Sequence, residues 1–226
     1  MAGEPTTRTE DWKTLPWKKF QRNVFRIQKR IYQAQIRGDF KRVRGLQRLL
    51  LRSYSARCLA VRQVSQDNKG KKTPGVDGLA RLTPPQRMRM VEKLRILSSS
   101  PAPIRRVYIP KASNPNERRP LGIPIMCDRA EQALVKLALE PEWEARFEPN
   151  SYGFRPGRSP HDAIEAIVSN ICHKPKYVLE ADIEKCFDRI DHQALLAKLN
   201  SLPIINRQVR GWLKAGIFED GEIFPS

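Results

Sequence analysis

The sequence predicts an α+β protein in which helices outnumber strands. Three observations carry this reading. Apolar residues recur at helical spacing along much of the chain, beginning with Phe20, Val24, Ile27 and Ile31. Two short runs rich in Val, Ile and Tyr, at 105–110 and 119–124, flank the turn-forming stretch Ala-Ser-Asn-Pro-Asn-Glu. A period-2 run at 177–183 then passes directly into a helix-start pattern.

Residues 1–14 are polar and are expected to be a disordered tail. Pro16 sits where a helix can begin, and Arg22, Arg26, Lys29 and Arg30 cover much of that helix outside its apolar stripe. After Gly38-Asp39 a second helix is expected to run until it fades near Asn68. It carries Phe40, Val43, Leu46, Leu50 and Tyr54 on one side, and Lys41, Arg42, Arg44, Arg48 and Arg52 on others. A Gly- and Pro-rich loop at 69–78 precedes a helix over 84–97, and 98–103 is a turn. The two apolar runs at 105–124 form a hairpin. A long helix at 128–147 buries Ala130, Ala133, Leu134, Leu137 and Ala138, and Pro141 should kink or restart it. Ser159 and Pro160 open a helix to about 172. Further helices follow at 192–199 and 206–215, with a last hairpin at 216–224 turning at Asp220-Gly221.

Composition bounds the function. Hydrophobic residues make up 40% of the 226, enough for a core. With 42 Lys and Arg against 24 Asp and Glu, the net charge is +18, which predicts a polyanionic partner. A membrane surface is also anionic, but no apolar run of roughly 18 residues is present, so no segment is expected to span a bilayer. Nucleic acid is the better partner, and the one-signed cations of the first two helices are its expected contact. Cys58, Cys127, Cys172 and Cys186 show no Cys-x-x-Cys spacing, so reduced thiols in a cytoplasmic setting are expected. His161, His173 and His192 are scattered, as structural or surface histidines are.

The densest chemistry lies in Tyr177-Val-Leu-Glu-Ala-Asp182-Ile-Glu-Lys-Cys-Phe187. As a strand it places Val178, Glu180 and Asp182 on one side, and Leu179, Ala181 and Ile183 on the other. The apolar side would be anchored in a core and the acidic side turned outward, an arrangement suited to a polymerase palm. A surface strand with ordinary acids is the competing reading. Glu184, Asp188 and Asp191 read as first-turn or surface charges.

Together with Arg105-Arg-Val-Tyr-Ile-Pro-Lys111, Arg118-Arg119-Pro-Leu-Gly-Ile-Pro124, Ser151-Tyr-Gly-Phe-Arg-Pro-Gly-Arg-Ser159 and Thr73-Pro-Gly-Val-Asp-Gly78, this stretch resembles the fingers and early palm of group II intron reverse transcriptases. The resemblance implies a right-hand polymerase divided into a basic helical N-terminal extension (15–98), fingers (99–175) and an incomplete palm (176–226). It implies that Asp182 and the backbone carbonyl of Ile183 hold magnesium, and that Lys111 and Arg119 bind the dNTP triphosphate. Arg118 remains an alternative to Arg119, and a solvated basic hairpin an alternative to both. By the same resemblance Phe187 is the steric gate against a ribose 2′ hydroxyl, unless it is core at a helix start. Arg155 and Arg158 contact template, unless they pair with Asp162 or Glu165, and Gly75 and Gly78 belong to a lid over the template.

The family's second pair of carboxylates comes from a Tyr-x-Asp-Asp hairpin, which does not occur in these residues. Phe218-Glu-Asp-Gly221 reads instead as a tight turn. The chain is therefore expected to be the N-terminal piece of a longer enzyme that copies an RNA template from a DNA primer. As a maturase, that enzyme also binds group II intron RNA to aid splicing and mobility. By itself the piece is expected to bind RNA without polymerising. A retron-type or other bacterial reverse transcriptase, and a non-catalytic RNA-binding remnant, are the competing functions. Homo-oligomerisation is not specified by the sequence. Phosphate-driven RNA binding predicts an affinity that falls steeply between about 50 and 200 mM salt, as titration of a labelled RNA would show; a flat response would contradict it.

Overall fold

The computed structural model describes residues 11–225 apart from 96, 98, 99, 112, 113, 115 and 188. The expected tail lies outside the described residues up to residue 10. Residues 11–14 are not a tail: they form a helical turn, α1 (Asp11–Thr14), whose Trp12 is buried and donates its indole N–H to Gln66 Oε1 at 3.0 Å.

α2 (Trp17–Ile36) buries Phe20, Val24, Ile31 and Ala34, the stripe its spacing requires. It ends where Gly38 adopts φ +69, with the Asp39 N–H donating to Ala34 O at 3.0 Å, and Asp39 then caps α3 by accepting from the Arg42 N–H. The single helix expected over 40–68 is broken. α3 (Phe40–Arg52) stops at Ser53, whose ψ of 124 is extended and whose hydroxyl caps α4 (Tyr54–Arg62). A π-turn (Gln63–Asp67) and a 3-10 turn (Lys69–Lys72) follow. α5 (Pro84–Lys93) opens with Gln86 Oε1 accepting from the Thr83 N–H at 2.8 Å and stops short of residue 97.

β1 (Ile104–Pro110) and β2 (Arg118–Ile123) form the expected hairpin. α6 (Met126–Glu144), α7 (Pro160–Ile171), α8 (His192–Leu199) and α9 (Pro203–Leu213) follow, with Ser159 and Asp191 capping α7 and α8. The closing hairpin, β3 (Ile217–Glu219) and β4 (Glu222–Phe224), turns at Asp220 and Gly221, both with positive φ, as a primed two-residue turn demands. β3 runs parallel to β1, so the two hairpins make one sheet of order β2-β1-β3-β4.

The core lies between α2, α3, α4 and α6, and Leu202 and Ile205 belong to the same cluster. α6 is buried on more than the small-residue side expected of it, for Asp128, Glu131 and Glu142 are also inside. Each has a donor: Ala102 N–H at 3.0 Å, Gln208 Nε2 at 2.9 Å and Gln47 Nε2 at 2.7 Å. Pro141 does not restart α6, which runs through it. Proline has no N–H for the carbonyl four residues back, Leu137 O, and Gln28 Nε2 of α2 donates to it instead at 3.0 Å. The next carbonyl, Ala138 O, accepts from the fully buried Gln47 of α3 at 3.3 Å.

The strand expected at 177–183 does not form, and its apolar side is not anchored in the core. Leu179 is 91% exposed and Ile183 72%. Alternation is only half of what a strand needs. Its backbone groups also require a neighbour, and no described strand pairs with this segment. α7 is likewise without buried residues.

Because the buried Gln47 amide donates to both Ala138 O and the Glu142 carboxylate, Gln47→Ala is expected to cost about 2 to 3 kcal/mol in urea denaturation. Gln47→Leu, which restores volume but no donor, should recover little of that loss.

Candidate nucleic-acid interface

The hairpin register sets which cations face the same way. Ile109 lies opposite Arg119 and Pro110 opposite Arg118, and the Lys111 N–H continues the ladder to Glu117 O at 2.8 Å. Period 2 therefore places Lys111 and Arg119 on one face with Val107 and Leu121, and Arg118 on the other with Tyr108. Lys111 Nζ is ion-paired with Glu117, whose carboxyl is held below its ordinary range by hydrogen bonds from Lys111 and Asn114. Of the turn between the strands, Ala112, Ser113 and Pro115 lie outside the described residues.

The 151–159 loop treats its two arginines differently. Arg155 is buried, and its guanidinium grips both Glu144 oxygens at 3.0 and 2.7 Å and the carbonyls of Glu148 and Ser151 at 2.6 and 2.8 Å. Its acid partner is therefore neither Asp162 nor Glu165, and it reaches no surface that a template could occupy. Arg158 stays partly exposed, anchored to Pro149 O at 2.7 Å and lying over the Tyr152 ring. Phe154, at the loop tip with φ +59, is fully exposed rather than packed beneath the loop.

Gly75 has a steric reason to be glycine: a Cβ there would stand 2.7 Å from Ile125 Cα. Gly78 has a conformational one, φ +69. The loop that holds them is tied down by Arg129, which sequence reasoning missed. Its Nε donates to Pro124 O at 2.8 Å, Nη1 to Gly70 O at 3.0 Å and Nη2 to Thr73 O at 2.8 Å. The only sequence signal for it is an arginine just inside a helix, close to a loop whose carbonyls lack a ladder.

Asp182 is exposed, and its Oδ1 accepts from the Ile183 N–H at 2.8 Å. Phe187 is 84% exposed, at the mouth of a depression shared with Asp191, His192, Leu213 and Ile217, so it is not core at a helix start. Asp188 lies outside the described residues, and Asp191 is the cap of α8. Among the described residues no three His, Cys, Asp or Glu side chains gather as a metal site would require. Asp182 and the Ile183 carbonyl alone do not fit the octahedral oxygen shell of magnesium, and no described hydrogen bond or ion pair joins them to Lys111 or Arg119.

The cations of α2 and α3 named above are exposed, as expected. Among the described residues no helix is long and apolar enough to cross a membrane.

The Arg155–Glu144 pair gives a pH signature. Arg155 holds the Glu144 carboxyl below its ordinary value, so the pair stabilises the fold above the unfolded carboxyl pKa of about 4.3 and ceases to do so as pH falls through the folded value. Arg155→Met is therefore expected to lower the thermal midpoint at pH 7. The gap from the unsubstituted chain should narrow as pH falls below about 4, leaving the pH-independent loss of the Glu148 and Ser151 carbonyl bonds.

Comparison with known proteins identifies the family. Residues 12–94 match the N-terminal domain of reverse transcriptase, and residues 109–225, more than half of the chain, match reverse transcriptase (RNA-dependent DNA polymerase). Protein YkfC of Escherichia coli is 37% identical over 59% of this chain and 37% of its own length. The group II intron-encoded protein LtrA of Lactococcus lactis is 36% identical over 68% of this chain and 26% of its own. Maturase-like protein 1 of Euglena gracilis is 32% identical over 81% and 41%. The chain thus spans between a quarter and about two fifths of these relatives. With both matches in order along the chain, on an α+β fold, it belongs to the reverse transcriptase (RNA-dependent DNA polymerase) family.

Proposed function

We propose that this chain forms the fingers and the first part of the palm of a group II intron-type RNA-directed DNA polymerase that copies RNA into DNA. As a maturase, the same polypeptide binds its intron RNA and aids splicing and mobility, within a cytoplasmic or organellar compartment. The observation that carries the reading is the shared face of Lys111 and Arg119, two residues inside the segment that matches the family.

Two cations of different shape on one face can grip a triphosphate from two sides, the ammonium as a mobile point charge and the guanidinium as a fork. Arg119 rather than Arg118 fills this role, because Arg118 points to the opposite face. Glu117 keeps Lys111 near its working position until a dNTP phosphate replaces it. Phe187, exposed beside Asp182 in sequence, acts as the gate against a 2′ hydroxyl. Arg158 and the loop of Gly75 and Gly78 meet the RNA template opposite its DNA primer. Arg155 supports Arg158 by fixing the loop that carries it. The exposed cations of α2 and α3 bind intron RNA through its phosphates.

Magnesium supplies the polymerisation chemistry in this family. Asp182 and the Ile183 carbonyl contribute too few ligands to hold it alone, so RNA binding is the activity expected of this chain by itself. In a polymerase that contains this chain, Asp182→Asn is expected to reduce primer extension by about 100-fold or more while RNA affinity stays within about twofold. Equal loss of both would remove Asp182 from the metal site.

A further inference from the structure

The Arg129 guanidinium sits where three separate segments meet. Pro124 O belongs to the exit of the β1–β2 hairpin, Gly70 O to the 3-10 turn, and Thr73 O to the start of the glycine loop, while Arg129 itself lies on the first turn of α6. All three of its nitrogens donate to backbone carbonyls, none to an acid. Burial draws the guanidinium below its ordinary pKa, and the nearby Asp77 opposes that shift. A lysine could keep the charge but would offer one nitrogen in place of a planar fork.

A second contact fixes the same loop without any charge. Gly75 is pressed against Ile125, the residue between the hairpin exit and α6. A Cβ would meet Ile125 Cα at 2.7 Å, its N at 2.8 Å and its Cγ2 at 2.9 Å. The loop is thus held at two points, by a fork around Gly70 and Thr73 and by a backbone approach at Gly75. Both points refer it to the junction from which the Lys111–Arg119 hairpin emerges.

We infer that Arg129 is a positioning residue that sets the 70–78 loop in register with the β1–β2 hairpin, so that an RNA template under the loop and a nucleotide on the hairpin are held at a fixed separation. This rests on the template and nucleotide roles proposed above. Three of the five Arg129 N–H groups are held by these carbonyls, so its inferred part is to fix the loop rather than to grip RNA.

The test uses this chain with Arg129→Lys, Arg129→Gln and Gly75→Ala, and with Arg89→Gln as an exposed-cation control. Amide exchange is read at Thr73 and Arg81, whose N–H groups bond to Gly70 O and Lys71 O. Affinity for a template–primer duplex with a single-stranded RNA overhang is read across a salt series. Arg129→Lys and Gly75→Ala are expected to speed exchange at these amides by about tenfold, leaving α2 and α4 protected. Affinity should weaken by about five- to tenfold with the salt slope unchanged. Arg89→Gln should leave exchange unaltered.

Unchanged exchange in both Arg129→Lys and Gly75→Ala would overturn the inference, and so would a loosened loop with undiminished affinity. A salt slope smaller by about 0.7 to 0.9 in Arg129→Gln would show a direct phosphate contact instead. If the unsubstituted chain binds no RNA, the RNA-binding reading itself fails and the positioning role falls with it. The exchange data would then still report whether the fork holds the loop.

Discussion

The structure depends on a single helix, α6, being buried around most of its circumference while its backbone stays fully bonded. A helix in that position needs apolar neighbours on several sides, and α2, α3, α4 and α9 supply them. It also cannot tolerate an orphan carbonyl, since an unpaired buried backbone group costs as much as a lost hydrogen bond. Pro141 creates that hazard at Leu137 O, and the side chain of Gln28 removes it from the neighbouring helix. The proline thus gives α2 a polar tie to α6 at Gln28.

From that spine the functional segments are hung by polar side chains at its two ends. Near the start of α6, Arg129 holds the glycine loop and Asp128 accepts from Ala102 just before β1. Burial pushes the Asp128 carboxyl up, and the Ala102 N–H opposes that shift. Near its end, Glu144 holds Arg155 and through it the 151–159 loop. Loops without ladders of their own thus take their positions from a rigid element, which is how mobile segments can present a defined surface.

The same division sorts the cations of a chain with net charge +18. Arg155 is enclosed and Arg129 half-buried, and both are bonded to the protein, so they work as struts. The cations of α2 and α3 lie outside, where phosphate could replace water. Lys111 is intermediate, paired with Glu117 yet half exposed. Net charge alone could not have distinguished these classes, because it records the sign and number of charges but not their partners.

Much of the fold was determined by the sequence itself. The stripe of α2, the caps Asp39, Ser159 and Asp191, the β1–β2 hairpin and the Asp220-Gly221 turn all follow from short-range rules, since each depends on residues a few positions apart. The motif that carries Lys111 and Arg119 was legible for the same reason. What only tertiary structure decided lay between distant residues. Ser53 breaks a helix that periodicity alone would continue, three acids lie inside α6, and Arg155 faces Glu144 rather than a template. Asp182 sits on a segment with which no described strand pairs. Alternation, charge and helical spacing are local quantities. Burial, pairing and the satisfaction of a carbonyl require a partner brought from elsewhere in the chain, and that partner is known only when the chain has folded.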